Sequence, residues 1–326
     1  MNSTMTRRGF IRHALAMGGL AAVSRLPAFA DDPALFPGRG QYERLALAYN
    51  HVKAGATKPF SILHISDTHF TAAYPHEDAK KQELKLKRTQ TFGGRQEEAL
   101  RDSLAWAKKN VDYVLHTGDL IDWQSEANFD LVKKYLGDTA GTLFGSVGNH
   151  EYSPDMWLGE VKERREETFK DLTRATVKAA FPFDIAFNST VVNGVNFVTL
   201  DDVYGYVTPN QVVKFRAEAA KGWPIVLCMH VPFLTEGLWL ASEKFWRDAG
   251  KKFASAAEPP ARGDRKVQLE DPVTRDFIAY LKTEPLLKAI LAGHLHITVQ
   301  ERFSPTAMQY VVGGNFMFHG QEVLFS

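Results

Sequence analysis

Residues 142–151 read TLFGSVGNHE and join a short apolar run to a polar turn. The run 142–147 has the length and the apolar character of a buried strand. The turn 148–151 then places an amide, an imidazole and a carboxylate directly after that strand. In open α/β sheets, polar residues at the carboxyl ends of strands build binding sites. This stretch therefore predicts a strand that carries part of a functional site.

Two earlier stretches have the same arrangement. The strand predicted over 61–65 leads to Asp67 and His69, and the strand predicted over 111–115 leads to Gly118-Asp119. Helices are predicted between the strands, where apolar residues recur at helical spacing, over 94–110 and 126–136. Strands that alternate with helices are typical of an α/β fold with partly parallel sheets.

The second half of the chain favours antiparallel strands. Asn193-Gly194 divides the β-rich run 190–200, which is a strong signal for a type I′ hairpin turn. The runs 299–303 and 309–312 predict a second antiparallel pair. A mixed second sheet is therefore expected. Near the start, residues 42–53 are predicted to form a short helix.

Five polar blocks follow the predicted strands. They are Asp67-Thr68-His69, Gly118-Asp119-Leu120-Ile121-Asp122, Gly148-Asn149-His150-Glu151, His230 and Gly293-His294-Leu295-His296. Each block alone is a weak signal, because such short patterns occur by chance. Together they supply carboxylate, imidazole and amide groups without a thiolate, a ligand set that suits Zn, Fe or Mn.

In this order the five blocks resemble the pattern of the calcineurin-like metallophosphoesterase superfamily: D-x-H, G-D-x-x-D, G-N-H-E/D, a lone His and G-H-x-H. The resemblance extends from residue 67 to residue 296. It implies an α/β fold in which two mixed β-sheets pack face to face with helices on the outside, a four-layer sandwich. It also implies a metal-dependent hydrolase that acts on phosphate esters.

The resemblance further implies a centre of two divalent or trivalent transition-metal ions, with Mn, Fe and Zn as candidates. The ligands of one ion would be Asp67, His69, Asp119 and His296. The ligands of the other would be Asp119, Asn149, His230 and His294, so that Asp119 bridges the two ions. In the family, a hydroxide held between the ions attacks phosphorus in line, opposite the leaving oxygen.

Two further roles follow from the resemblance. His150 would face the substrate and donate a proton or a hydrogen bond to the leaving oxygen, while Asp122 would orient it. The chain departs from purple acid phosphatases, which have Tyr at the position of Asp122 and Gly at that of His69. It also departs from serine/threonine protein phosphatases, because Trp123-Gln124 stands where they have Arg-Gly.

Two alternatives stay open. The first is a non-catalytic homologue that keeps the fold as a binding module, whose usual sign is a missing ligand; none is missing here. The second lies within the enzyme class, because phosphomonoesterases and phosphodiesterases share the five blocks. The sequence does not separate them.

Several other polar residues are interpreted as structural or exposed. His64 lies inside the first predicted strand and His116 just before Gly118, and both are expected to be structural. The basic run 80–88 is expected to form an exposed face. The long insertion 232–271 is typical of a lid or a substrate wall. It contains two arginines that could meet a phosphate, Arg262 and Arg265, although a solvated loop is the favoured interpretation.

The N-terminus has the pattern of an export signal. The pair Arg7-Arg8 precedes a mildly apolar run over 14–23 and the small residues of 27–30, Pro-Ala-Phe-Ala. These features resemble the twin-arginine signal. The apolar run is too short to span a bilayer, so no transmembrane anchor is expected in the mature chain.

Residues 1–30 are therefore predicted to be a signal peptide, and residues 31–326 a single metallophosphoesterase domain. The resemblance implies the twin-arginine export machinery as a partner and a periplasmic or secreted location. Cys228 is the only cysteine, which excludes an intramolecular disulfide and suits export in a folded state. The chain has 39 Lys and Arg against 38 Asp and Glu, a balance that gives no nucleic-acid-binding signature.

Overall fold

The computed structural model describes residues 44–137, 143–154, 167–248, 268 and 271–326. These ranges contain eleven strands: β1 Ala46–Val52, β2 Phe60–Ile65, β3 Tyr113–Thr117, β4 Leu143–Ser146, β5 Phe187–Val192, β6 Val195–Leu200, β7 Ile225–Cys228, β8 Leu287–Ala292, β9 Val299–Arg302, β10 Met308–Val311 and β11 His319–Phe325. The helices are α1 Ala79–Phe92, α2 Gln96–Asn110, α3 Glu126–Leu136, α4 Glu167–Asp171, α5 Arg174–Ala180, α6 Pro209–Ala219, α7 Glu236–Asp248 and α8 Pro272–Leu281, with a 3₁₀ turn at Asn315–Met317.

The strands form two mixed sheets. The first has the order β1-β11-β2-β3-β4, and β2, β3 and β4 run parallel to one another. The second has the order β5-β6-β7-β8-β10-β9, and β6, β7 and β8 are parallel. Each sheet thus has a central parallel set with antiparallel pairing beside it, at β11–β2 in the first and at β5–β6 and β9–β10 in the second.

The two sheets pack face to face, and helices cover their outer faces. Ile62 and Val323 of the first sheet share a buried apolar cluster with Phe197 and Leu291 of the second. Side chains of α2 and α3 pack on the outer face of the first sheet, and those of α6 and α8 pack on the second. Full burial of side chains of this size stabilises the fold by about 1.5–3 kcal/mol each. The expected four-layer arrangement is confirmed.

Most predicted elements are confirmed within a few residues, and one is wrong. The predicted hairpin forms between β5 and β6, with φ of 47° at Asn193 and 81° at Gly194, as a type I′ turn requires. Residues 42–53 were predicted to be helical, but 46–52 form β1 instead. Parallel pairing with β11 provides hydrogen bonds along the whole strand, and this overrides the local helix propensity.

Within the described part of the chain, no helix combines the length and the apolar character that crossing a membrane requires. The predicted signal peptide and its Arg7-Arg8 pair lie outside the described residues, as do Arg262 and Arg265. Cys228 is fully buried between the sheets, in agreement with its interpretation as a small apolar residue.

Candidate metal centre

The predicted ligands come together at one edge of the sandwich. Every block follows the carboxyl end of a parallel strand: β2, β3 and β4 in the first sheet, β7 and β8 in the second. Because the parallel strands of both sheets end at this edge, side chains that are up to 229 residues apart in the sequence become neighbours. The five-block prediction thus corresponds to one place in the fold.

Asp67, His69 and His296 form a group that we call the first cluster. Nε2 of His69 lies 3.1 Å from Nε2 of His296, and Nε2 of His296 lies 3.3 Å from Oδ1 of Asp67. All three side chains are buried. Their ligand atoms therefore converge on a point where one cation could bind.

Asp119, His230 and His294 form the second cluster. Nε2 of His230 lies 3.2 Å from Oδ2 of Asp119 and 3.0 Å from Nδ1 of His294. His230 donates from Nδ1 to the carbonyl oxygen of Thr117 at 2.7 Å, because a carbonyl can only accept. Nε2 is therefore the ring nitrogen that faces the cluster.

Asp119 links the two clusters. Its Oδ2 lies 3.2 Å from His230 of the second cluster and 3.8 Å from His69 of the first. Its Oδ1 accepts a hydrogen bond from the backbone N–H of His150 at 2.9 Å. Asp67 is used in the same way, since its Oδ2 accepts from the backbone N–H of His294 at 2.9 Å. Each carboxylate therefore fixes a neighbouring loop with one oxygen and presents the other to the histidines.

Asn149, in the loop after β4, offers a further candidate ligand atom. Its Oδ1 is buried and has no hydrogen-bond partner among the described residues. Burying a carbonyl oxygen without a hydrogen-bond partner costs free energy, and such unpaired groups are rare in folded proteins. Binding of another group to this oxygen would remove the cost. The adjacent His150 also groups geometrically with His69 and Asp119, and its Nε2 lies 4.0 Å from Oδ2 of Asp119.

The backbone is strained where the ligands stand. Eight non-glycine residues in the described ranges have positive φ, and five of them are predicted ligands: Asp67, His69, Asp119, His294 and His296, with φ between 54° and 69°. Such conformations cost free energy and persist only where the surrounding structure imposes them, which is common at functional sites. The ligand loops are therefore held by their surroundings rather than by local preference.

Two glycines permit the close approach of these loops. A Cβ on Gly118, which has φ of 94°, would lie 2.6 Å from Nδ1 of His230 and from the backbone nitrogen of Gly148. A Cβ on Gly148 would collide with the carboxylate of Asp119. The loops after β3 and β4 can be this near only because both residues lack a side chain.

Two buried carboxylates, those of Glu151 and Asp202, fix the ligand loops by accepting hydrogen bonds from their backbone. Glu151 accepts hydrogen bonds from the backbone N–H groups of Gly148, Asp119, Leu120 and Ile121, at 2.6–3.2 Å. Asp202 accepts from the N–H groups of His230 and Val231 at 3.0 and 3.1 Å. Burial raises the pKa of each carboxyl to about 7, although these N–H groups favour the charged form.

Asp122 contacts two imidazoles at once. Its Oδ1 lies 3.0 Å from Nδ1 of His69 and 3.1 Å from Nδ1 of His150. Nδ1 of His150 also donates to the backbone carbonyl of Asp122 at 2.7 Å. Burial alone lowers the pKa of His150, but the carboxylates of Asp119 and Asp122 raise it to about 9. The predicted neighbourhood of Asp122 and His150 is thus present in the structure.

Arg88 is buried, contrary to the sequence interpretation. The run 80–88 was expected to be an exposed face, yet Arg88 is 2% exposed and pairs with both oxygens of Asp122, at 2.6 and 2.8 Å. Burial alone would raise the pKa of Asp122, but this arginine holds it well below its usual range. Arg88 was missed because nothing local distinguishes it from the neighbouring lysines.

Arg88 also lines a small recess at the clusters, together with His69, Phe92, Asp119, His150, His294 and His296. Asp202 was a second residue missed from the sequence. A signal for it existed, since Asp201-Asp202 directly follows the run 190–200 in the same way as the other blocks follow their strands.

His64 and His116 lie beneath the centre and belong to neither cluster. Nε2 of His64 lies 2.8 Å from Oγ1 of Thr117, and Nε2 of His116 lies 3.0 Å from Oγ1 of Thr68. Burial lowers their pKa values to about 3 and about 4, so both are neutral at pH 7. Their contacts agree with the structural role that was predicted.

The residues present fit transition-metal ions. Asp67 and Asp119 are buried carboxylates, and burying a negative charge is expensive unless positive charge balances it. Burial alone lowers the pKa of His230, but the carboxylates of Asp119 and Asp67 raise it to about 10, so this site favours positive charge. Facing imidazole nitrogens, two carboxylates and the unpaired amide oxygen of Asn149 form a donor set for borderline metals.

The fold and the site define an α/β sandwich with a candidate two-metal centre where parallel strands end. Residues 60–298 match the calcineurin-like phosphoesterase family, and because this match covers most of the chain, the protein belongs to that family. The family resemblance found in the sequence is thereby confirmed. A search among curated proteins finds no match.

Several solved structures are similar to the chain at low identity. A dimetal phosphatase from Danio rerio is 15% identical, with a TM-score of 0.49, covering 79% of this chain and 88% of that protein. A putative 5′-nucleotidase from Staphylococcus aureus is 14% identical, with a TM-score of 0.40 and coverage of 79% and 49%. The purple acid phosphatase PPD1 of yellow lupin is 13% identical, with a TM-score of 0.41 and coverage of 80% and 45%. The chain thus spans about half the length of the latter two.

Proposed function

We propose that the protein hydrolyses phosphate esters with two transition-metal ions. The observation that carries this proposal is the pair of adjacent clusters, in which Asp119 of the second cluster lies 3.8 Å from His69 of the first and 3.2 Å from His230. One ion would be held by Asp67, His69, Asp119 and His296. The other would be held by Asp119, Asn149, His230 and His294.

The chain's own residues supply the remaining chemistry. When bound, two such ions would provide a nucleophile at neutral pH and neutralise charge on the phosphoryl group. His150 donates from Nδ1 to Asp122, so its Nε2 is the nitrogen available to the recess. From there it would donate a proton to the leaving oxygen, while Asp122 keeps the ring in orientation.

A substrate panel on the purified protein tests the proposal. Aryl phosphate, aryl phosphodiester, nucleotides and cyclic nucleotides are incubated with Mn, Zn, Fe, Co or Ni added separately. Hydrolysis that requires a metal and stops with a chelator is expected for at least one ester. A protein that binds two ions and cleaves none of these esters would instead be a binding module. The ratio of monoester to diester rates assigns the reaction type, which the site residues leave open.

We also propose that the protein is exported in a folded state by the twin-arginine machinery and acts in the periplasm or outside the cell. The support is the pair Arg7-Arg8, the apolar run 14–23 and the absence of a second cysteine. Replacing Arg7 and Arg8 by Lys should leave the precursor in the cytoplasm, whereas wild type is cleaved after Ala30. Export of the double variant at the normal rate would refute this proposal.

A further inference from the structure

Helix α1 contacts the metal centre through one short face. Among its 14 residues only Arg88 and Phe92, one turn apart, are buried. The helix is bounded by Asp78, whose side chain accepts from the N–H of Lys81, and by Gly93 with φ of 80°. Its remaining surface is polar or partly exposed. The two buried side chains are therefore the feature of α1 that needs a functional explanation.

Arg88 reaches the centre through Asp122. Its Nε lies 2.6 Å from Oδ2 and its Nη2 lies 2.8 Å from Oδ1, with the arginine 2% and the carboxylate 0% exposed. A guanidinium paired in this two-point manner fixes the plane of the carboxylate as well as its position. The same Oδ1 accepts from Nδ1 of His69 and lies near Nδ1 of His150. One fixed carboxylate thus orients two imidazoles.

Phe92 restrains His69 from another direction. The ring of Phe92 is stacked on the ring of His69, with centroids 4.5 Å apart and an angle of 11° between the planes. The guanidinium of Arg88 lies 4.7 Å from the centroid of Phe92. His69 is therefore held at its edge by Asp122 and on its face by Phe92, and both supports depend on the docking of α1.

We propose that Arg88 is a positioning residue of the metal centre. By fixing Asp122, it directs Nε2 of His69 toward the first cluster and Nε2 of His150 toward the recess. Carboxylates that orient a metal-binding histidine commonly govern metal affinity. The role toward His69 concerns metal binding alone, and the role toward His150 rests on the proposed function. The competing role is direct contact with the substrate, since Arg88 lines the recess.

The test compares Arg88→Met with Lys87→Met, a matched loss of charge at the neighbouring, exposed position of the same helix. The affinities for both Mn²⁺ ions are measured by chelator competition. For Arg88→Met we expect about 10–100-fold weaker binding of one ion and little change for the other. The variant should also lose more activity on an alkyl phosphate than on nitrophenyl phosphate. Lys87→Met should match wild type in both measurements.

A double-mutant cycle with Asp122→Asn separates the two roles. If Arg88 acts through Asp122, the double variant binds metal and turns over substrate no worse than Asp122→Asn alone. Losses that multiply in the double variant would show that Arg88 acts on the substrate directly, and this would overturn the proposal.

If Arg88→Met does not fold, Arg88→Lys replaces it. An ammonium cannot make the two-point contact, so weaker binding of one ion is expected, and wild-type affinity with wild-type leaving-group dependence would overturn the proposal. Failure of the proposed function gives a different result. In that case wild type cleaves no ester, yet Arg88→Met still loses affinity for one ion.

Discussion

The two clusters differ in what holds their histidines. In the first, Nδ1 of His69 contacts the side chain of Asp122, which Arg88 of a separate helix holds in turn. In the second, Nδ1 of His230 donates to the main-chain carbonyl of Thr117 in β3. A strand carbonyl is present whatever the side chain is, whereas a chain of side chains can be broken by one substitution. The first cluster should therefore be the more sensitive to mutation.

The largest effect is expected at Asp119, which belongs to the second cluster and lies 3.8 Å from His69 of the first. Asp119→Asn should release at least one ion and lower kcat/KM by about 10⁴-fold, because several kcal/mol of charge stabilisation is lost. Metal analysis of the purified variant, together with steady-state kinetics, measures both effects. Asp130→Asn, at a side chain that is 46% exposed, is the control and should match wild type. Two tightly held ions with normal turnover in Asp119→Asn would refute the assignment.

His150 tests whether a residue beside both clusters is a ligand or an acid. His150→Ala should retain two ions and slow the cleavage of alkyl phosphates by about 10²–10⁴-fold, because an alkoxide leaving group needs a proton. The rate of nitrophenyl phosphate cleavage should fall much less, since nitrophenolate is a good leaving group and needs no proton. Kinetics on both esters and metal content are the measurements. Equal losses on the two esters, or a lost ion, would assign His150 to the metal site instead.

Two isosteric changes test whether the first cluster depends more on its supporting side chain than the second. The amide in Asp122→Asn cannot accept hydrogen bonds from both nitrogens of Arg88. The variant should therefore bind one ion about 10–100-fold more weakly. Asp202→Asn keeps an oxygen that accepts from the N–H groups of His230 and Val231. Its affinity for the other ion should therefore fall by less than about 10-fold. Chelator competition on both variants decides the outcome. Equal losses of affinity in the two variants would mean that both clusters depend equally on their supporting carboxylates.

The smallest effect at neutral pH is expected beneath the clusters. His64→Gln should leave both ions bound and lower the free energy of unfolding by about 1 kcal/mol at pH 7, through altered hydrogen bonds to Thr117 and Gln321. Metal content and urea unfolding test this. A lost ion would show that the structural interpretation of His64 is wrong.

His64 also gives a pH dependence of defined sign. Its folded pKa, about 3, lies below the ordinary value of 6.5, so the unfolded chain binds the proton more readily. Wild type should therefore lose stability as the pH falls through 6.5 toward 3, by up to about 1.4 kcal/mol per pH unit from this group. In His64→Gln this contribution is absent, and urea unfolding across the range should show a smaller slope. An unchanged slope would mean that His64 is protonated in the fold.

The blocks that carry the site could be found from the sequence because each is local. A predicted ligand such as Asp67 or Asn149 closely follows an apolar strand, and strand ends of parallel sheets meet at one edge. Arg88 could not be found in this way, since its burial depends on Asp122, which lies 34 residues further along the chain. The strand β1 was missed for a similar reason, because its partner β11 is the last strand of the chain. Long-range contacts thus account for both errors.

Glu151 has a consequence for how this site can change in evolution. Its carboxylate ties the loops after β3 and β4 together, and the backbone N–H of Gln124 binds the carbonyl of Ser153 just beyond it. The hydrogen bonds that fix the loops of Asp119 and Asn149 thus all lie at or before Ser153 in the sequence. Insertions and deletions after Ser153 can then accumulate without moving either residue. The segments that follow can therefore differ in length while the two predicted ligands keep their positions.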